Sequence, residues 1–167
     1  MNIFAIIIVV FSSFSAAYLI VKKEIRHCKS LDVTLRLITE VKNKASFYSA
    51  PFAEIIIQLQ RNRDFYKFKL FDLFAENLSS GMVVPDAWQN AVLSTDMEID
   101  EKESDILIRF GKDMCSCSRA EITEISDRAI FEINELRNSA IEKRNRKSKS
   151  TAAVTVSMGL MIVLIFV

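Results

Sequence analysis

The side chains able to do chemistry are few. One histidine, His27, stands beside Cys28. A metal site takes three or four ligands at defined spacing, and with no second histidine in the chain that spacing is missing. His27 therefore reads as a surface residue. Cys115-Ser116-Cys117 is the one close pair of thiols. A Cys-x-Cys pair senses oxidation where a thiolate is exposed and stabilised. It is not the Cys-x-x-Cys of thioredoxin-like sites, and helical positions two apart face different sides. Ordinary packing is the plain reading, with a small membrane-anchored regulator or redox sensor using Cys115 and Cys117 as the alternative. The carboxylates are dispersed. Acid–base catalysis needs two of them held in a dry pocket, and no pattern specifies one. Gly81, Gly111 and Gly159 stand apart from one another, so there is no glycine-rich phosphate loop and nucleotide hydrolysis is excluded. The chain is expected to be no enzyme, with no catalytic residue, cofactor or metal.

Large aromatics are more suggestive. Phe65, Phe68, Phe71 and Phe74, with Leu78, fall on one helical stripe and read as core. Trp88, after Pro85-Asp86-Ala87, reads first as a core anchor, while a partly exposed face around it would dock a partner. The candidate docking residues are Pro85, Trp88, Gln89 and, at the 110–122 junction, Gly111.

The elements that position these residues are helical. The chain has 167 residues with only three Gly and two Pro, too few punctuators for the turns of a sheet. From Ile25 the apolar residues Cys28, Leu31, Leu35, Ile38, Val41 and Ala45 recur at steps of three and four, predicting a helix to about Tyr48. Pro51 suits the first turn of a second helix, running to about Gln60. The phenylalanine stripe forms a third, stopped by Ser79-Ser80-Gly81. Pro85 opens a short fourth over 86–91. Asp100, Glu101 and Glu103 open a fifth, where acids suit the helix dipole. A sixth starts near Arg119, turns Ile122, Ile125, Ala129, Ile133, Leu136 and Ala140 inward, and runs on into the C-terminal segment.

All 22 basic and 21 acidic residues lie between Lys22 and Lys149, so the middle of the chain is nearly neutral. That argues against general nucleic-acid binding and against a disordered acidic tail. Residues 1–21 and 150–167 carry no charge. As helices they reach about 27–28 Å, enough to span a hydrocarbon core of about 30 Å. Ser15-Ala16-Ala17 imitates a signal-peptide cleavage site, but no basic residue precedes the apolar run. Basic residues flank the middle instead: Lys22, Lys23, Arg26 and Lys29 at one end, Lys143, Arg144, Arg146, Lys147 and Lys149 at the other. The positive-inside bias then puts the middle in the cytoplasm and both termini outside. The expected fold is all-α: an antiparallel bundle of about six helices over 22–149, anchored by transmembrane helices at 1–21 and 150–167.

The order of these features resembles stage III sporulation protein AB of endospore-forming bacteria over essentially the whole chain. A terminal membrane helix leads into a basic-flanked amphipathic helix. Tyr48-Ser49-Ala50-Pro51-Phe52 opens the next helix, Gly81 precedes Pro85-Asp86-Ala87-Trp88, Phe110-Gly111 sits on a later helix, and a basic helix runs into a hydrophobic tail. Where the family tends to show a second Gly, an Asp and a Gln after Phe110-Gly111, this chain has Cys115, Ser118 and Ile122, as a divergent member would. The resemblance implies a soluble domain similar to the cytoplasmic helical domain of the inner-membrane platform protein of type II secretion and type IV pilus systems. It implies a non-enzymatic platform or scaffold subunit of a secretion-like channel between mother cell and forespore, required for endospore formation. The expected place is the mother-cell membrane facing the forespore. The expected partners are the bilayer, a secretion-type ATPase on the mother-cell side and other membrane subunits of the channel, with no nucleic acid; a homo-oligomer is compatible with the pattern.

Overall fold

The computed structural model describes the backbone of residues 3–48, 50–62, 65 and 68–166, and the side chains of 19, 21–48, 50–62, 65, 68–147, 150 and 157. Among the described residues six helices follow one another: α1 (Ile3–Tyr48), α2 (Phe52–Gln60), α3 (Lys69–Ser79), α4 (Val84–Ser94), α5 (Glu101–Ser116) and α6 (Ile122–Phe166). Among the described residues there is no strand, and the all-helical expectation stands. Also among the described residues, no helix is long and apolar enough to cross a membrane. The apolar side chains of the expected spans, 1–21 and 150–167, lie almost wholly outside the described residues.

The chain divides into two compact units, Met1–Cys28 with Asn138–Val167, and Lys29–Arg137. Within the second unit α1 turns Leu31, Thr34, Ile38, Val41 and Ala45 inward, each 2 % exposed or less. Each large aliphatic side chain so buried contributes about 1.5–3 kcal/mol. Thr34 holds its place in this apolar row because its hydroxyl donates to the Ser30 carbonyl one turn back, at 3.0 Å. Lys42 pairs with Asp127 at 2.6 Å, and Asp32 pairs with Arg137. Moving ten residues back along α1 moves ten forward along α6, so the two helices run antiparallel here.

The shorter helices start and stop for local reasons. The Leu78 carbonyl accepts from Gly81 N–H at 3.0 Å and the Asn77 carbonyl from Met82 N–H at 3.2 Å. That closure needs the left-handed φ of +91° that Gly81 supplies. Pro85 sits in the first turn of α4, which extends beyond the expected 86–91 at both ends. Asp100 N–H donates to the Glu103 carboxylate at 2.6 Å in a capping box that fixes the start of α5. Before α6, Ser118 donates its backbone N–H and its hydroxyl to the Glu121 carboxylate, at 2.7 and 2.9 Å.

Two expectations need correction. The phenylalanine stripe is not one helix, because α3 begins at Lys69. Turns closed by Phe65 N–H to Asn62 and Phe68 N–H to Phe65 occupy the backbone before it. Phe65 still reaches the core from its turn and meets Phe71 at a ring separation of 5.5 Å. In the first unit Ile25 is 38 % exposed, while Glu24 and Cys28 are buried. The buried stripe of α1 there is rotated by one position, since Glu24 is turned inward to an ion pair with Lys147.

Candidate docking surface

The centre of the Lys29–Arg137 unit is aromatic. Phe52, the first residue of α2, meets Trp88 edge-on at 5.1 Å and both Phe74 and Phe110 at 6.4 Å, and Phe74 meets Trp88 at 5.9 Å. Trp88 has no exposed surface, which agrees with its first reading as a core anchor and takes it off the alternative docking face. Its indole N–H donates to the Leu107 carbonyl at 2.8 Å, the polar partner a buried indole requires. Gly111, one turn beyond Leu107 on α5, is buried directly against the indole and is likewise no surface residue. Pro85 and Gln89, the other two docking candidates, are half-buried on α4.

The open surface feature lies at the 110–122 junction. A groove of about 340 Å³ is walled by the end of α1, the starts of α2 and α4, the end of α5 and the start of α6. Ala45, Ala50 and Pro51 leave the space, and Met114, Cys115 and Ile122 line it opposite. The residue before a proline avoids the helical region, so Pro51 obliges the chain to leave α1 and re-enter a helix at Phe52. Arg119 is the one charged residue lining the groove among the described residues. Its guanidinium donates to the Ser46 carbonyl at 3.0 Å, satisfying one of the last four carbonyls of α1 with a favourable charge at the helix C-terminus. Phe47, Tyr48 and Val83 neighbour lining residues along the chain and are 80 %, 76 % and 63 % exposed. A groove of mixed polar and apolar lining that includes a cation, with exposed aromatic and aliphatic side chains near it in sequence, offers a surface to a protein partner. Sequence reasoning named this junction as a docking candidate, without Arg119, Ala45 or Ala50. Arg119 carried a signal, since it lies inside Ser-x-x-Glu, which marks a helix start.

Both junction thiols are half-buried and free. Burial, reinforced by the neighbouring Cys117, pushes the Cys115 thiol up to about 11. Burial also raises Cys117, with the Glu121 and Asp113 carboxylates adding to the effect. Both are thus protonated near neutral pH, the opposite of the stabilised thiolate that a redox sensor requires.

Of the basic residues singled out in the sequence, Lys29 falls in the second unit, the side chain of Lys149 lies outside the described residues, and the others belong to the first unit. Lys22, Lys23, Arg26, Lys143 and Arg146 are exposed, and Arg144 and Lys147 are half-buried. Lys147 pairs with Glu24, whose carboxyl is held below the usual range chiefly by that hydrogen bond, with Lys143 and His27 contributing charge. The near-neutral total conceals a separation. The unit made of Met1–Cys28 and Asn138–Val167 carries eight Lys and Arg against Glu24 and Glu142, a net of +6. The unit Lys29–Arg137 carries fourteen Lys and Arg against nineteen Asp and Glu, a net of −5.

A family model described as stage III sporulation protein AB matches residues 2–167. The chain belongs to that family. Membership gives it a role in sporulation. A solved structure titled stage III sporulation protein AB is similar to it in fold, with a TM-score of 0.56 at 14 % identity, over 72 % of this chain and 98 % of that one. No curated protein matches the chain. Within the family pattern, Pro85-Asp86-Ala87-Trp88 and Phe110-Gly111 are brought together as one packed unit through the Trp88–Gly111 contact. Cys115 and Ile122 line the groove.

Proposed function

We propose that this protein is a non-enzymatic scaffold subunit of a secretion-like channel complex between mother cell and forespore. Segments 1–21 and 150–167 anchor it in the mother-cell membrane facing the forespore, and 22–149 faces the cytoplasm. The groove between the end of α1 and the 110–122 junction receives a cytoplasmic partner of the secretion-type ATPase class, while the end segments meet other membrane subunits. The observation that carries this reading is the family match over 2–167. It is supported by the open groove at the 110–122 junction, an accessible surface of the Lys29–Arg137 unit in which Trp88 and Gly111 are interior packing.

The test is affinity purification of the tagged full chain from gently solubilised sporulating cells, beside a Tyr48→Asp/Val83→Asp variant. Both side chains are exposed, so the changes spare the interior. Recovery of a secretion-type ATPase and membrane subunits with the wild type, and loss of the ATPase alone with the variant, is the expected result. A wild-type protein recovered without either class of partner overturns the scaffold reading. Equal recovery of the ATPase by both proteins moves its docking surface away from the groove.

A further inference from the structure

The two basic clusters lie about 120 residues apart in sequence, at 22–26 and 143–147. Each alone reads as the positive flank of a membrane segment. The Glu24–Lys147 ion pair changes that reading, because it joins α1 to α6 at the middle of the first cluster and the end of the second. Lys22, Lys23 and Arg26 on one helix therefore stand level with Lys143, Arg144 and Arg146 on the other. Of the unit's two acids, Glu24 is taken up by Lys147, and Glu142 is exposed. In net charge the unit is a collar of cations on two adjacent helices, of a sign that the Lys29–Arg137 unit, at −5, does not share.

We propose that this collar is a binding site for the phosphodiester headgroups of anionic phospholipids. The proposal rests on the anchoring described above and adds the lipid class to it. Several cations on two helices engage phosphate oxygens from two sides. The planar guanidinium groups of Arg26, Arg144 and Arg146 suit bidentate contact with phosphate, and the lysines add point charge. Basic residues beside a membrane segment are the ordinary means of selecting anionic lipids. A soluble phosphate offers the same oxygens without an attachment to the bilayer, so the two sources are separable.

The full chain is reconstituted into vesicles of three parts phosphatidylcholine to one part phosphatidylglycerol, shown by flotation to be inserted, and extracted with its surrounding lipid in polymer-bounded discs. The measured quantity is the phosphatidylglycerol share in the discs relative to the bulk vesicle. The wild type is expected to enrich phosphatidylglycerol at least about twofold, and the enrichment is expected to fall in high salt, which screens exposed charge. A Lys23→Gln/Lys143→Gln/Arg146→Gln variant keeps Glu24 and Lys147 and is expected to return to the bulk share with unchanged helicity. Arg146→Lys, which keeps the charge, is expected to retain most of the enrichment. An inserted wild type carrying lipid at the bulk ratio overturns the headgroup site and leaves the anchoring intact. Failure to float with vesicles overturns both. Abolition of the enrichment by millimolar inorganic phosphate assigns the cations to soluble anions and overturns the lipid assignment.

Discussion

The indole of Trp88 lies against the backbone of α5 at Gly111 so closely that a methyl group there would stand 2.1 Å from Nε1 and 2.2 Å from Cδ1. One turn earlier, the Leu107 carbonyl accepts the indole N–H. Position 111 is thus glycine for a reason of space: the ring occupies the volume of the missing side chain.

Gly111→Ala is therefore expected to destabilise the protein by about 3 kcal/mol or more, through overpacking and loss of the indole hydrogen bond. Trp88 is the single tryptophan, so denaturation followed by its fluorescence reads the effect directly, with red-shifted emission in the variant. Combined with Trp88→Phe, the cost of Gly111→Ala is expected to shrink, because the two positions share one volume. Additive losses would break the link between them.

Ser126 offers a change of the opposite sign. It is fully buried, and among the described residues its hydroxyl has no hydrogen-bond partner. Ser126→Ala removes an unsatisfied buried polar atom and is expected to raise stability by about 1 kcal/mol. A drop of similar size in the denaturation midpoint would reveal a hidden partner for the hydroxyl.

The Glu24–Lys147 pair sets a pH dependence with a definite direction. The hydrogen bond from Lys147 holds the folded Glu24 carboxyl below its ordinary value of 4.5. Its contribution is present above that value and is lost as pH falls through the folded pKa. Thermal unfolding of the full chain in mild detergent is expected to show a wild-type advantage over Glu24→Gln at neutral pH that vanishes in strong acid. Lys147→Ala is expected to cost more than Glu24→Gln, about 1–3 kcal/mol, because it strands the buried carboxylate. Glu24 is only 7 % exposed, whereas the Lys147 side chain is 41 % exposed and can turn to water.

The junction thiols are expected to react sluggishly. With Cys115 pushed up to about 11 from 9.0, its thiolate at neutral pH is ~100-fold scarcer than that of an ordinary thiol. Alkylation of Cys115, followed by mass spectrometry, is expected to lag behind a model thiol accordingly and to accelerate only in alkaline buffer. A Cys115→Ser/Cys117→Ser variant is expected to support sporulation equally under oxidising conditions. Rapid labelling at neutral pH, or a sporulation defect confined to oxidant, would restore the redox-sensor reading.

The helices were legible in the sequence because their determinants are local. Three-and-four spacing set the inward face of α1, Pro51 and Pro85 marked helix starts, and Gly81 marked a stop. Phe65 was misplaced because its spacing to Phe68 and Phe71 is helical, although the intervening backbone closes turns; periodicity records which residues are buried, not the conformation that buries them. Ile25 failed for a related reason. The Glu24 carboxylate takes the inward position, and the partner that permits this, Lys147, is more than a hundred residues away. Of the candidate docking residues, Trp88 is interior, as its first reading as a core anchor has it, while Gly111 is buried against the same indole. Their contact joins helices distant in sequence, and no residue type announces it. The groove itself is space left by alanines, which have no signature in a single sequence.

The separation of charge has a practical consequence at the bench. A sequence isoelectric point near 7.7 describes a balance that neither unit possesses. At that pH the molecule carries almost no net charge, yet it presents a cationic part and an anionic part at once. It is expected to adhere to both cation- and anion-exchange media near its isoelectric point, and to self-associate in dilute buffer as an ampholyte does. Moderate salt, rather than a shift in pH, is then the rational choice for keeping it dispersed during purification.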